Sequence, residues 1–167
     1  PASLTSIEPD AFWNCYRLYE VYNNSALPLG AGTSDYGGVA KYALAVYAPQ
    51  DTDRLAYLTV GDLYFARYRG VWTLIGAREG LTRLRLGTFG YGGETIGSYR
   101  IAPYAFAYYG TLTSLEFGDA VTAVGECAFT SCSSLTEVVF TGTKVKEIGE
   151  SAFPYCYSLA EVVFPEG

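Results

Sequence analysis

The chain has 167 residues, half of them hydrophobic, which is enough for one compact domain or a run of small stacked units sharing a continuous core. Seventeen acidic against eleven basic residues leave a net charge of −6 with the basic side chains scattered, so a phosphate backbone finds no platform and nucleic acid is not an expected partner. The absence of His excludes Ser-His-Asp and Cys-His catalysis and His-containing zinc sites within this segment, and no apolar run approaches the roughly 20 residues of a membrane-spanning helix.

Tyr, Gly and Phe are plentiful at 16, 19 and 9, and only 17% of residues are charged, a mix that favours strands and turns over long amphipathic helices. The first element runs Ile7-Glu-Pro-Asp-Ala-Phe-Trp-Asn-Cys-Tyr-Arg-Leu-Tyr-Glu-Val-Tyr-Asn23. Its frame returns at Ile101 to Phe117, at Val124 to Phe140 and at Ile148 to Phe164, with Tyr109 standing where the other copies carry Cys, and Asn23 where they carry Phe. The last three copies start 23 and 24 residues apart, so self-similarity organises the chain.

Residues 24–80 leave the frame and read as a β-rich insertion. Asn23 to Gly38, with Pro28 and several Gly, predicts a surface loop, and Ala48 to Asp53 a second. Between them Tyr42-Ala-Leu44 echoes the Tyr104-Ala-Phe106 turn, and Ala45-Val-Tyr47 reads as a truncated strand. Leu55 to Val60, Leu63 to Arg69 and Val71 to Ala77 are rich in aromatic and branched residues and are separated by Gly61-Asp62 and Gly70, the pattern of an antiparallel meander. Its aromatics Tyr64, Tyr68 and Trp72 are either recognition anchors or core beneath a cap over the break in the repeats, and their solvent exposure separates the two readings. Asn23-Asn24-Ser25 satisfies the N-glycosylation pattern.

From residue 81 the frame resumes. Leu81-Thr-Arg-Leu-Arg-Leu86 matches Leu135-Thr-Glu-Val-Val-Phe140 but lacks an Ala-Phe-x-x-Cys turn upstream, which makes 81–96 a half-repeat. Gly87 to Gly97 lacks the Gly-Lys-Ser/Thr ending of a phosphate loop and is read as a mobile turn between repeats. Full repeats then occupy 97–167, so the domain organisation expected is an N-terminal repeat at 1–23, an insertion at 24–80 and repeats over 81–167, in one continuous structural domain. Within each copy, Leu135-x-x-Val138-x-Phe140 alternates buried and outward residues as a short strand does. Ala128-Phe129-x-x-Cys132 has helical-turn spacing, with Phe129 pointing inward. One repeat cannot hide its Ile, Phe, Cys and Leu, whereas stacked copies bury them against each other.

The recurring pattern, I-G-x-x-A-F-x-x-C-x-x-L-x-x-V-x-F, resembles the BspA-type leucine-rich repeats of surface proteins from host-associated bacteria and some protozoan parasites. The resemblance implies a mainly β fold with short helical turns, a leucine-rich-repeat solenoid with a parallel strand sheet, here interrupted by an antiparallel β-meander. It further implies a piece of a longer secreted or cell-surface bacterial protein that is not an enzyme, acts in adhesion or protein binding, and needs no cofactor. Chain ends lying within the repeats, and the lack of any Met, fit such a piece. With that geometry the outward strand positions are Glu20 and Tyr22, Arg83 and Arg85, Ser114 and Glu116, Glu137 and Val139, and Glu161 and Val163, of which the charged residues and Tyr22 form the candidate binding face. Arg85 is expected opposite Glu116 as a salt bridge.

Three chemical readings of the same residues give way to simpler ones. Cys15, Cys132 and Cys156 share one repeat position and pack as small hydrophobes, with free thiols favoured over disulfides. A column of Glu116, Glu137 and Glu161 lacks the cleft of a paired-acid glycosidase and reads as solvated. Asp51 and Asp53 match no calcium-loop spacing, and Asp35 converges with too few ligands. The partner expected is therefore a protein, such as a host or neighbouring-cell surface protein. A glycan stacked on exposed Tyr, Trp13 and Trp72 is the alternative, and a scaffold segment of a larger exported protein is a third.

Overall fold

The computed structural model describes residues 2–166, which fall into two compact units, Pro1–Ala56 and Tyr57–Gly167. The architecture is nearly all β. Its one helical element among the described residues is a three-residue 3-10 turn at Tyr36–Gly38.

In the first unit β1 (Glu20–Tyr22) and β2 (Ala45–Tyr47) pair in parallel, Val21 beside Val46, so the truncated strand read at Ala45-Val-Tyr47 forms and closes an irregular second coil. The turn that precedes it is not at Tyr42–Leu44 but at Tyr36–Ala40. Tyr36 has the positive φ of 52° that Asp10 and Cys127 have in their repeats at 61° and 50°. The Phe12 N–H donates to Gly37 O at 2.9 Å, as the Phe129 N–H donates to Ala152 O at 2.8 Å. Gly37 stands where the frame has Ala because a Cβ there would lie 2.5 Å from Glu8 O. Val39 and Ala40 replace the missing Phe and join Val21 and Ala43 in a small core, against which Ile7, Phe12 and Leu18 pack half-buried.

Asn23 breaks the frame to build the loop that follows β1. Its amide donates to Leu27 O at 2.8 Å, and its carbonyl oxygen accepts from the Ser25 N–H and hydroxyl at 3.1 and 2.7 Å. The side chain of the glycosylation pattern is thus engaged within its own loop.

The meander is formed by β3 (Ala56–Val60), all but its first residue in the second unit, β4 (Leu63–Tyr68) and β5 (Val71–Ala77), as its branched and aromatic runs predict. β4 and β5 are antiparallel, Tyr64 opposite Gly76 and Phe65 opposite Leu74, which leaves Ile75 as a bulge. β5 then pairs in parallel with β9 (Tyr99–Ile101), Leu74 beside Ile101, so the meander joins a repeat sheet edge to edge. That sheet runs on through β11 (Val121–Val124) to β13 (Glu147–Ile148), giving the order β13-β11-β9-β5-β4-β3. The second sheet holds the strands read in each repeat: β6 (Arg83–Leu86), β10 (Ser114–Phe117), β12 (Glu137–Phe140) and β14 (Glu161–Val163), all parallel. Each coil therefore has two strands, not one, and the unit is a parallel β-solenoid.

The turns between the two strands of a coil are not helical. Ala128, Thr130 and Cys132 donate their N–H groups three residues back, to Gly125, Cys127 and Phe129. The intervening N–H groups of Cys127, Phe129 and Ser131 donate to Glu150, Ala152 and Pro154 of the next coil. Left-handed φ values of 50° at Cys127 and 58° at Ser131 aim them outward along the stack and interrupt any helix. Half of the turn's donors are thus satisfied only by a neighbouring coil, which is the local reason that a repeat needs company. The Gly of the Ile-Gly pair has a similar cause: a Cβ on Gly125 would fall 2.5 Å from Pro103 N, and one on Gly149 2.6 Å from Glu126 N.

Between the sheets the inward residues stack in register. Phe106, Phe129 and Phe153 form one column with ring centroids 5.0 and 5.1 Å apart. Phe117, Phe140 and Phe164 form a second at 4.7 and 5.0 Å. Phe106 and Phe129 are fully buried, while Phe153 in the last coil is half-buried. Phe12, at the same frame position, packs in the first unit's own small core with Val39 and Ala40.

Two departures from the frame explain the half-repeat. Between β5 and β6 the chain crosses from Ala77 to Thr82 without a Phe turn, and the next coil compensates with Tyr109. Its hydroxyl receives the Ala77 N–H at 3.1 Å and donates to Ala77 O, while its ring packs edge-on to Phe106 at 5.3 Å. The segment 87–97, read as a mobile turn, is an ordered hairpin of β7 (Phe89–Tyr91) and β8 (Glu94–Ile96). Gly92 and Gly93 at φ 58° and 81° make its turn, and Phe89 packs on Phe65 and Tyr99.

Candidate functional site

Parallel register places the outward side chains of the second unit in two rows. The first runs Arg83, Ser114, Glu137, Glu161, and the second runs Arg85, Glu116, Val139, Val163. The inward partners Leu84, Leu115 and Val138 are buried, so β6, β10 and β12 adopt the outward facing read from alternation, while in β14, the last strand of the sheet, Val162 is itself 47% exposed. Arg85 Nε meets Glu116 Oε2 at 2.9 Å, the ion pair expected. With the Arg85 side chain 85% exposed its net worth is at the low end of about 0–1 kcal/mol. The three-carboxylate column does not form: Glu137 and Glu161 share a row, but Glu116 lies in the other, beside Val139. Glu137 instead accepts the Ser114 hydroxyl at 3.2 Å.

The corresponding face in the first unit carries Glu20 and Tyr22 opposite Ala45 and Tyr47. Tyr47 is buried beneath the segment that follows it. Its hydroxyl donates to Glu20 Oε1 at 2.9 Å and accepts the Leu55 N–H at 2.7 Å, and Arg54 lies over its ring at 4.9 Å. Burial pushes the Tyr47 phenol up to about 12; the neighbouring Glu20 carboxylate adds to the shift and the Leu55 N–H opposes it. Tyr22 stays 59% exposed, its centroid 4.9 Å from that of Tyr47 and 5.8 Å from the Arg54 guanidinium. The loop read at 48–53 is therefore part of a strap over the strand face. Asp51 spends its carboxylate on the Ala48 N–H at 2.8 Å, a turn contact. Arg54, an exposed cation, covers two tyrosines, and no repeat period in the sequence links it to them.

The insertion aromatics divide. Trp72 is 8% exposed, edge-on to Phe65 at 6.0 Å with the Arg67 guanidinium 5.0 Å from its ring, so it is core rather than an open stacking surface. Tyr68 is half-buried with Arg69 above it, and only Tyr64 is exposed, at 40%.

The four cysteines are free. Cys132 Sγ lies 3.3 Å from Phe106 O, and Cys156 Sγ 3.2 Å from Phe129 O, so each thiol caps the Phe carbonyl of the preceding coil. Burial pushes the Cys132 thiol up to about 12, and raises that of Cys156 as well. Cys15, at the same frame position, is exposed. Among the described residues no group of three His, Cys, Asp or Glu converges as a metal site, and no helix is long and apolar enough to cross a membrane.

A parallel solenoid with a stacked Phe core and a polar outer strand face is the architecture of a leucine-rich-repeat protein. Residues 96–167 match the family described as BspA type leucine rich repeat region (6 copies). The fold is similar to that of a leucine rich cell surface protein from Faecalibacterium prausnitzii A2-165, with a TM-score of 0.58 and 25% identity over 68% of this chain. The match spans only 34% of that protein's length. No curated protein matches the chain.

Proposed function

We propose that the chain is a non-catalytic protein-interaction or adhesion module of a leucine-rich-repeat protein displayed at the cell surface or secreted. The observation that carries this reading is the outward strand face of the second unit. Its two rows present charged, hydroxyl and aliphatic groups on a rigid sheet, with the core packing confined to the inner side. The similarity to a cell surface protein supports the location. In the test, the purified chain is set against a panel of host and bacterial surface proteins, and Val139→Arg is compared with Tyr108→Ser on the turn side. Saturable binding lost with Val139→Arg and kept with Tyr108→Ser is expected; equal loss, or no binding by any panel member, overturns it.

Tyr22 favours a second reading, a glycan site in the first unit. Its exposed ring beside Arg54 and Glu20 combines a stacking platform with hydrogen-bonding groups. Glycan-array binding abolished by Tyr22→Ala and untouched by Val139→Arg supports this reading over the first.

A further inference from the structure

The outward face of the second unit has a sign at each end. In the second row Arg85 and Glu116 neutralise one another, and the positions beyond them are the valines of β12 and β14. Uncompensated charge is left in the first row. Arg83 stands at one end and Glu161 at the other, both exposed, and among the described residues neither has an oppositely charged partner within salt-bridge distance. Glu137, next to Glu161, is held by a neutral hydroxyl. A polyanion on this row would meet Glu137 and Glu161, and a polycation would meet Arg83.

Neighbouring strands lie ~4.8 Å apart, so the three spacings from β6 to β14 separate Arg83 from Glu161 by about 14 Å. An extended chain advances ~3.4 Å per residue, and residues separated by an even number share a side, so positions i and i+4 span nearly the same distance on one face. We infer that this row receives an extended peptide segment of a protein partner bearing one acidic and one basic side chain four positions apart. The acid pairs with Arg83 and the base with Glu161 and Glu137. The alkyl stem of the base lies along Val163, which is 38% exposed two residues beyond Glu161 on the same side of β14. This rests on the outward strand face being the binding surface and adds the chemistry of what it takes.

The test is an array of ten-residue Gly/Ser/Thr peptides, each with two charged residues (one Asp and one Lys, two Lys, or two Asp) two to seven positions apart, probed with the whole chain at low and high salt. A spacing that forfeits one of the two exposed ion pairs should weaken binding about 1.4- to 5-fold at low salt, and less as screening sets in. The signal should peak at a separation of four and fall at three and five, where the charges point to opposite sides. Arg83→Glu should move the preference to peptides with two Lys, and Glu161→Lys to peptides with two Asp. Both positions are exposed, and an unchanged circular dichroism spectrum checks that each variant folds. A signal independent of separation, or unmoved by either reversal, overturns the inference. If Val139→Arg nevertheless abolishes capture of a surface protein, the outward-face reading stands and only its bipolar chemistry falls. If that capture fails too, both fall.

Discussion

Phe129→Ala removes the middle ring of the Phe106–Phe129–Phe153 column. Large-to-small changes of a buried Phe cost about 3–5 kcal/mol, the spread reflecting how far the surroundings collapse into the space. At Phe129 they have little freedom to do so. The ring has no solvent exposure, its faces are covered at 5.0 and 5.1 Å, and Phe117 meets it edge-on at 5.9 Å. The neighbouring coils are also held at fixed spacing by the Phe106 N–H to Ala128 O and Phe129 N–H to Ala152 O bonds, both 2.8 Å. The expected cost is therefore about 4–5 kcal/mol. Phe164, 62% exposed and stacked on one face only, should cost about 1 kcal/mol when cut to Ala, because less apolar area leaves water. Urea melts followed by far-ultraviolet circular dichroism measure both, and in thermal melts each kcal/mol corresponds to about 2–4 °C in Tm for a chain of this size. Costs within 1 kcal/mol of each other would refute the column as the source of stability.

Tyr109→Phe deletes the hydroxyl that satisfies the backbone of Ala77 and should destabilise by about 1–3 kcal/mol. Tyr109→Cys, although it restores the repeat pattern, should cost more in the same thermal melts, since it also empties the space beside Phe106. Cys132 should resist a thiol reagent at pH 8 in the folded protein while the exposed Cys15 reacts, as mass spectrometry of labelled peptides would show. Its folded thiol titrates near 12 against an ordinary value of 9.0, so its contribution to stability is complete below about 9 and declines as pH rises from there through about 12. Denaturant midpoints at pH 8 and pH 10.5 should narrow the gap between wild type and Cys132→Ser, and a gap that widens would contradict the sign. Ser131→Gly relieves a left-handed backbone at φ 58° and should leave stability unchanged or raise it by up to about 1 kcal/mol, whereas Ser131→Val should lower it by at least as much.

The repeat was legible because its chemistry is local and recurs. Phe106, Phe129 and Phe153 stand at one frame position, and burying one demands the next, so three copies of a residue pattern already imply a stacked column. Outward facing followed from the two-residue period of the strands, and register then decided that Arg85 meets Glu116. The paired glycines of the 87–97 hairpin were visible too, but their turn signal carries no information about Phe89 finding Phe65. Apart from Val71–Ala77, the other strand of each coil is not legible in the sequence, because segments such as Glu147–Ile148 are too short to show alternation. They are strands only because a neighbouring coil pairs with them.

What this sequence determined by itself is thus the repeating unit, its inner and outer sides, and the need of each unit for a neighbour. Tertiary structure decided what fills the breaks in the pattern. Tyr109 replaces a Cys because the coil before it has no turn, Trp72 is core because Phe65 lies beside it, and Tyr47 is covered because Arg54 folds back over it. Each of these depends on residues brought together from distant or irregular parts of the chain, where no period links one side chain to the other.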